Sequence, residues 1–107
     1  MVRLIALYSQ PDDTGAFDEH YRDVHAPIVS RYPKVRDIRL TKLAGVAGRA
    51  APYYLMAEMA FDSYEHLTEA LSSEAGAESA RDLRNFASAG VTLFVAPDTC
   101  AELTEAH

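Results

Sequence analysis

Residues 53–61 read Tyr-Tyr-Leu-Met-Ala-Glu-Met-Ala-Phe, and that stretch decides the fold. Pro52 before it and Asp62-Ser63 after it bound a strand. Along a strand, alternate side chains point to opposite faces. Tyr53, Leu55, Ala57, Met59 and Phe61 make one row, while Tyr54, Met56, Glu58 and Ala60 make a second that is still largely apolar. Residues 2–9 (VRLIALYS) behave alike, with Leu4, Ala6 and Tyr8 on one face against Ile5 and Leu7 on the other. A sheet with one wet face alternates apolar with polar residues. Two apolar faces need two covers. Helices of the same chain supply one, and roughly a few hundred Å² of apolar surface left over marks an interface. An identical chain is the simplest second cover. The expectation is a homodimer whose two sheets face each other around a cavity.

The flanking segments complete the order. After the Gln10-Pro11 break, Asp12, Asp13 and Thr14 offer helix caps. Phe17, Tyr21, Val24 and Ile28 then recur at helical spacing as one buried stripe. Pro27 cannot donate to the carbonyl of Asp23, so the backbone is expected to kink or restart beside His25. Residues 35–43 read as an exposed second strand and 44–52 as a flexible connection. Asp62 and Glu65 have capping-box spacing for a helix with Tyr64, Leu67 and Leu71 inward. Ser72 and Ser73 open another helix, with Gly76, Ala80, Leu83 and Ala87 as its small-residue stripe. Gly90 ends it, and Val91–Ala96 is the fourth strand. The reading is α+β: a ferredoxin-like βαββαβ domain over residues 1–97 with a four-stranded antiparallel sheet, then a polar tail over 98–107.

Sixteen acids against ten bases give a net charge of −6, and no basic cluster is dense enough to track phosphates. Nucleic acid and anionic membrane are therefore poor partners. Leu4–Tyr8 is too short for a spanning helix or signal peptide, and the lone Cys100 excludes an internal disulfide. Both features fit a reducing cytoplasm.

His25 stands out because it lies where Pro27 disrupts the helix. A near-neutral pKa suits proton transfer, although a plain hydrogen-bonded helix histidine fits the same residues. His20 and His25 are five apart, about 140° around a helix, whereas a chelating pair wants i, i+4 spacing. No metal is expected. Glu58 lies mid-strand on the row assigned to the dimer cavity. It reads either as an acid/base group or ligand anchor, or as the partner of Arg36 or Arg39 across the sheet. Tyr8, Tyr21, Tyr53 and Tyr54 can line a pocket for a planar substrate, with Met56 beside them. No phosphate loop, nucleophile elbow or dinucleotide fingerprint is present, so no cofactor is expected.

The opening strand ending LIALYSQP, followed by Phe17-x-x-His20-Tyr21-x-x-x-His25-x-Pro27, resembles the EthD-like family of the dimeric α+β barrel superfamily. The likeness continues through Pro52-Tyr53-Tyr54, Ala57-Glu58-Met59-x-Phe61-Asp62, Asp82-Leu83-x-Asn85-Phe86 and Gly90-Val91-Thr92, about residues 2–96 in all. The resemblance implies a homodimeric barrel. It also implies either an accessory to an ether-degrading P450 system or a small cofactor-free enzyme on lactones or aromatic polyketides. His25 matches the histidine proposed as functional in that family, and Tyr21 and Glu58 match recurrent positions. The expected function is a cofactor-free cavity enzyme on a small apolar oxygenated or aromatic compound, as oxidoreductase, isomerase or decarboxylase/cyclase. His25 would move the proton, with Glu58 or a tyrosine orienting the substrate. The alternatives are a ligand-binding module serving a partner oxygenase and a purely structural dimer.

Overall fold

A computed structural model of the chain describes residues 1–97; the tail expected over 98–107, with Cys100 and His107, lies outside the described residues. The elements run β1 (Val2–Ser9), α1 (Thr14–His20), a π-helical turn (Tyr21–His25), α2 (Ala26–Val29), β2 (Asp37–Lys42), β3 (Tyr53–Phe61), α3 (Tyr64–Ser72), α4 (Glu74–Phe86) and β4 (Val91–Ala96). The strands pair antiparallel in the order β2-β3-β1-β4. This is the ferredoxin-like α+β arrangement read from the alternation. No helix among the described residues is long and apolar enough to cross a membrane.

Register separates the two faces. Leu4 pairs Met59, Ala6 pairs Ala57 and Tyr8 pairs Leu55; all six are buried beneath the helices. Ile5 pairs Glu58 and Leu7 pairs Met56 on the opposite, open face, where Phe94 stands across from Ile5. No helix among the described residues covers that face, and Phe94 is half exposed. The two-sided character of β1 and β3 is therefore real, with one apolar face left open.

Caps set the helix starts. The Asp13 carboxylate accepts from the Ala16 amide at 3.0 Å, and the Ser73 hydroxyl accepts from the Gly76 amide at 3.1 Å. α3 is capped by Ser63, whose hydroxyl accepts from the His66 amide, and not by Asp62, which pairs with Arg36 instead. Starting the helix there turns Leu67 and Ala70 inward and leaves Tyr64 and Leu71 exposed, against the expected inward stripe. α4 likewise presents Ala75, Gly76, Ser79 and Asp82 to the core, while Ala80 is exposed. Gly76 is required by the close approach of α3 and α4: a Cβ there would collide with the carbonyls of Ala70 and Leu71.

The largest departure is at Pro27. The helix widens into a π turn one residue ahead of α2, closed by the Ala26 amide donating to the Tyr21 carbonyl five residues back. The wider turn rotates His25 under Tyr21. Val24, expected in the buried stripe, is 41% exposed, and His25 takes its place at 3%.

Candidate functional site

The π turn carries His25 into the core between helices and sheet, and α4 supplies its partner. The buried Asp82 accepts from His25 Nδ1 through Oδ2 at 2.9 Å, from His20 Nε2 through Oδ1 at 2.8 Å, and from Asn85 Nδ2 through Oδ1 at 3.0 Å. A carboxylate can only accept, so both ring nitrogens facing it carry protons. In the neutral imidazole, Nε2 of His25 is then the unprotonated nitrogen. It faces the Tyr8 hydroxyl at 3.5 Å, the outer limit of a hydrogen bond.

Electrostatics keep this arrangement. Burial pushes the His25 pKa below its ordinary value, and the hydrogen bond and charge of Asp82 only partly offset that. Burial by itself would raise the Asp82 carboxyl, but hydrogen bonds from Asn85, His20 and His25 outweigh it and hold the group below the usual carboxylate range. Burial drives the Tyr8 phenol far up, helped by Tyr21 and Tyr32, and pushes Tyr21 up to about 12. At neutral pH the site is a carboxylate holding a neutral imidazole among protonated phenols.

Those groups enclose a cavity of about 130 Å³. Leu4, Ala6, Val29 and Met59 give it apolar walls, while Tyr8, Tyr21, Tyr32, Ser79 and His25 bring polar atoms. Its outer end is bounded by the exposed Leu71, Ala80 and Leu93. Ser79 and Tyr32 share a hydrogen bond of 2.5 Å, and burial raises the Tyr32 phenol. A neutral imidazole whose Nδ1 donates to a carboxylate keeps Nε2 chemically able to accept a proton.

Of the residues singled out in the sequence, His25, Tyr21 and Tyr8 meet here. Glu58 and Met56 do not; they lie on the open face, across the sheet from His25. That corrects the expectation of one cavity shared by His25 and Glu58 between two sheets: the histidine cavity lies under the helices. Glu58 stands 3.5 Å from Arg3 Nε, on the neighbouring strand, and pairs with neither Arg36 nor Arg39. Tyr54 also leaves its expected row. The β1–β3 register slips between Tyr8 and Ser9, and the Tyr54 ring meets Phe17 edge-on at 5.4 Å. Its hydroxyl donates to Asp18 at 2.9 Å and accepts from Lys42 at 2.6 Å.

Asp82, Tyr32 and Ser79 were not among the expected site residues. Asp82 carried a readable signal: it is three residues past Ser79 and four before Phe86, on the face that also bears Gly76. A charge on a helix face turned to the core needs a partner.

The EthD domain profile matches residues 10–90, a span that includes His20, Tyr21, His25 and Asp82. The chain belongs to the EthD family. Within it, this EthD-family chain is 37% identical over 93 residues to an uncharacterised 11.0 kDa protein encoded in the thcB–thcC intergenic region of Rhodococcus erythropolis. That match covers 87% of this chain and 90% of the other. An ethyl tert-butyl ether D family protein from Bacillus halodurans superposes with a TM-score of 0.87 at 40% identity, covering 92% of this chain and 99% of that one. SnoaB of Streptomyces nogalater, a cofactor-independent oxygenase, shares the fold with a TM-score of 0.69 at 13% identity, covering 94% of each chain.

Proposed function

We propose that this EthD-family protein is a cofactor-free proton-transfer enzyme acting on a small apolar carbonyl or phenolic compound. The observation that carries the reading is the Asp82–His25 pair, with His25 and three tyrosines lining one cavity and Nε2 facing the Tyr8 hydroxyl. The substrate's acidic C–H or O–H gives its proton to Nε2, and its electron pair stays on the substrate as an enolate or phenolate. Hydroxyls of Tyr8, Tyr21 or Tyr32 donate to the oxygen where that charge develops. Asp82 stabilises the imidazolium formed, as a buried carboxylate does for a histidine base. Returning the proton to another atom gives isomerisation. Returning it to the carbanion left by loss of CO₂ gives decarboxylation. SnoaB supports the reading to the extent that the same fold accommodates chemistry without a cofactor.

The test is deuterium exchange at the α-carbons of cyclohexanone in D₂O, followed by NMR. The protein is expected to accelerate exchange above the buffer rate, with activity falling as His25 is protonated on the acid side. A protein that binds cyclohexanone without exchanging its protons would favour a carrier serving a partner oxygenase.

We further infer a homodimer closed over the open sheet face. Ile5, Leu7, Met56, Ala60 and Phe94 lie on that face around Glu58 and Arg3. Arg3 Nε, paired with Glu58 only at 3.5 Å, is buried without a hydrogen bond among the described residues, and a second chain can supply one. Light scattering at micromolar concentration is expected to give twice the chain mass, with roughly 1,200 Å² or more buried in total. A stable monomer would refute the assembly.

A further inference from the structure

Tyr21 lines two hollows at once. On one side it bounds the His25 cavity, and on the other a crevice of about 330 Å³ between the π turn and the β2 edge. Ala26, Leu40 and Leu55 make the apolar part of that crevice, and Asp18, Arg22 and Lys42 edge it. One row of the sheet links the two hollows. Leu40 pairs Ala57, Ala57 pairs Ala6 and Ala6 pairs Leu93, so one cross-strand row runs beneath the helices from the crevice to the cavity mouth. Its two central members are alanines, the smallest side chains that still keep the sheet apolar.

Size then decides what the inner cavity can take. An apolar cavity of roughly 150 Å³ accommodates benzene. The His25 cavity, at about 130 Å³, therefore holds one ring or a short oxygenated head, and nothing bulkier. The crevice falls within the range of roughly 300–1,000 Å³ found for small-molecule pockets. Its edge also offers a hydrogen-bond donor. The Lys42 ammonium uses two of its N–H groups on Asp18, at 2.9 Å, and Tyr54, at 2.6 Å, and has a third to give.

We infer that the crevice is the outer half of one substrate site, and that the substrate is a compound of two or more fused or linked rings. Its reacting carbonyl or phenolic ring enters the cavity past the Tyr21 side chain. Its remaining apolar body lies on Leu40 and Leu55, with an oxygen acceptor turned to Lys42. The inference rests on the proton-transfer reading of His25 and names the substrate class for that same site. Tyr21 is the partition, and its ring must turn aside for a ligand to reach both halves.

The experiment compares a one-ring and a two-ring ketone, cyclohexanone and 2-tetralone, by NMR titration of the labelled full chain. 2-Tetralone is expected to shift the Leu40 and Leu55 methyls and the His25 ring together, with a single dissociation constant. Leu40→Trp fills the crevice from an exposed edge position, so folding is not at risk. It is expected to raise the ratio of the 2-tetralone to the cyclohexanone dissociation constant by on the order of tenfold. If 2-tetralone shifts His25 but not the leucine methyls, and the ratio stays within twofold, the outer subsite is overturned while the role of His25 stands. If it shifts the leucine methyls but not His25, the crevice binds separately and the spanning site is overturned. Failure of the proton-transfer reading shows elsewhere, as absent deuterium exchange on cyclohexanone in the unsubstituted protein.

Discussion

Asp82→Asn is expected to slow deuterium exchange on cyclohexanone by about 10²- to 10⁴-fold, the range over which a positioned general base contributes. The reason lies in which oxygen accepts what. Oδ1 takes hydrogen bonds from both His20 and Asn85, whereas Oδ2 takes one, from His25. An asparagine will therefore keep its carbonyl oxygen at the Oδ1 position and turn its NH₂ toward His25. Two donors cannot face each other, so His25 Nδ1 must give up its proton and Nε2 must carry it. The free nitrogen in the cavity is lost although the shape of the side chain is kept. The readout that separates this from plain destabilisation is the ring itself: the Nε2–H tautomer has its own nitrogen chemical shifts. Asp82→Asn with exchange activity intact would remove Asp82 from the account.

The second large effect belongs to His25. His25→Ala is expected to abolish exchange and also to lower stability by about 2–3 kcal/mol, because it opens a hole in the core and takes away a donor from a buried carboxylate. The ring is buried, at 3% exposure, so its loss is felt by the core. His25→Gln separates the two roles. Its amide can still donate to Asp82, so most of the stability should return, yet no base remains and exchange should stay absent. Thermal melts and the exchange assay on the same samples measure both.

The pH dependence has a definite sign. Burial holds the His25 pKa below its ordinary value of about 6.5. The neutral base therefore persists further into acid than a free imidazole, and the acid limb of activity falls below about pH 6.5. The unfolded chain binds that proton near pH 6.5 while the folded one does not, so stability declines as pH falls from there through the folded-state pKa. Asp82, also depressed, adds a further loss below about pH 4, where the unfolded carboxylate protonates first.

How far the sequence carries the fold can be traced through its parts. β1 and β3 were legible because the sheet period is two and both faces are apolar, so neither strand could be mistaken for a surface strand. The face assignment of Met56 and Glu58 followed from the same period. Tyr54 did not, because a one-residue register slip reverses a side chain's face and leaves no mark in composition. His25 was legible as a candidate through Pro27, but its surroundings were not. A period of 3.6 places Val24 in the core, while the π turn lengthens the local period and puts His25 there. The backbone cost of Pro27 is what installs the base. Asp82 was legible only as a charge on a helix face whose inward side had been set one residue off. With Ser73 as the cap, that face runs through Ala75, Gly76, Ser79 and Asp82, and the acid falls on it.

Whether Asp82 holds His25 as a neutral base with Nε2 unprotonated is read by nitrogen-15 NMR of the imidazole side chains at pH 7, repeated on lowering the pH. His25 is expected in the Nδ1–H form, with Nε2 unprotonated and shifting on addition of cyclohexanone, and a midpoint below that of a free imidazole. A ring found in the Nε2–H form, or doubly protonated at pH 7, would contradict it.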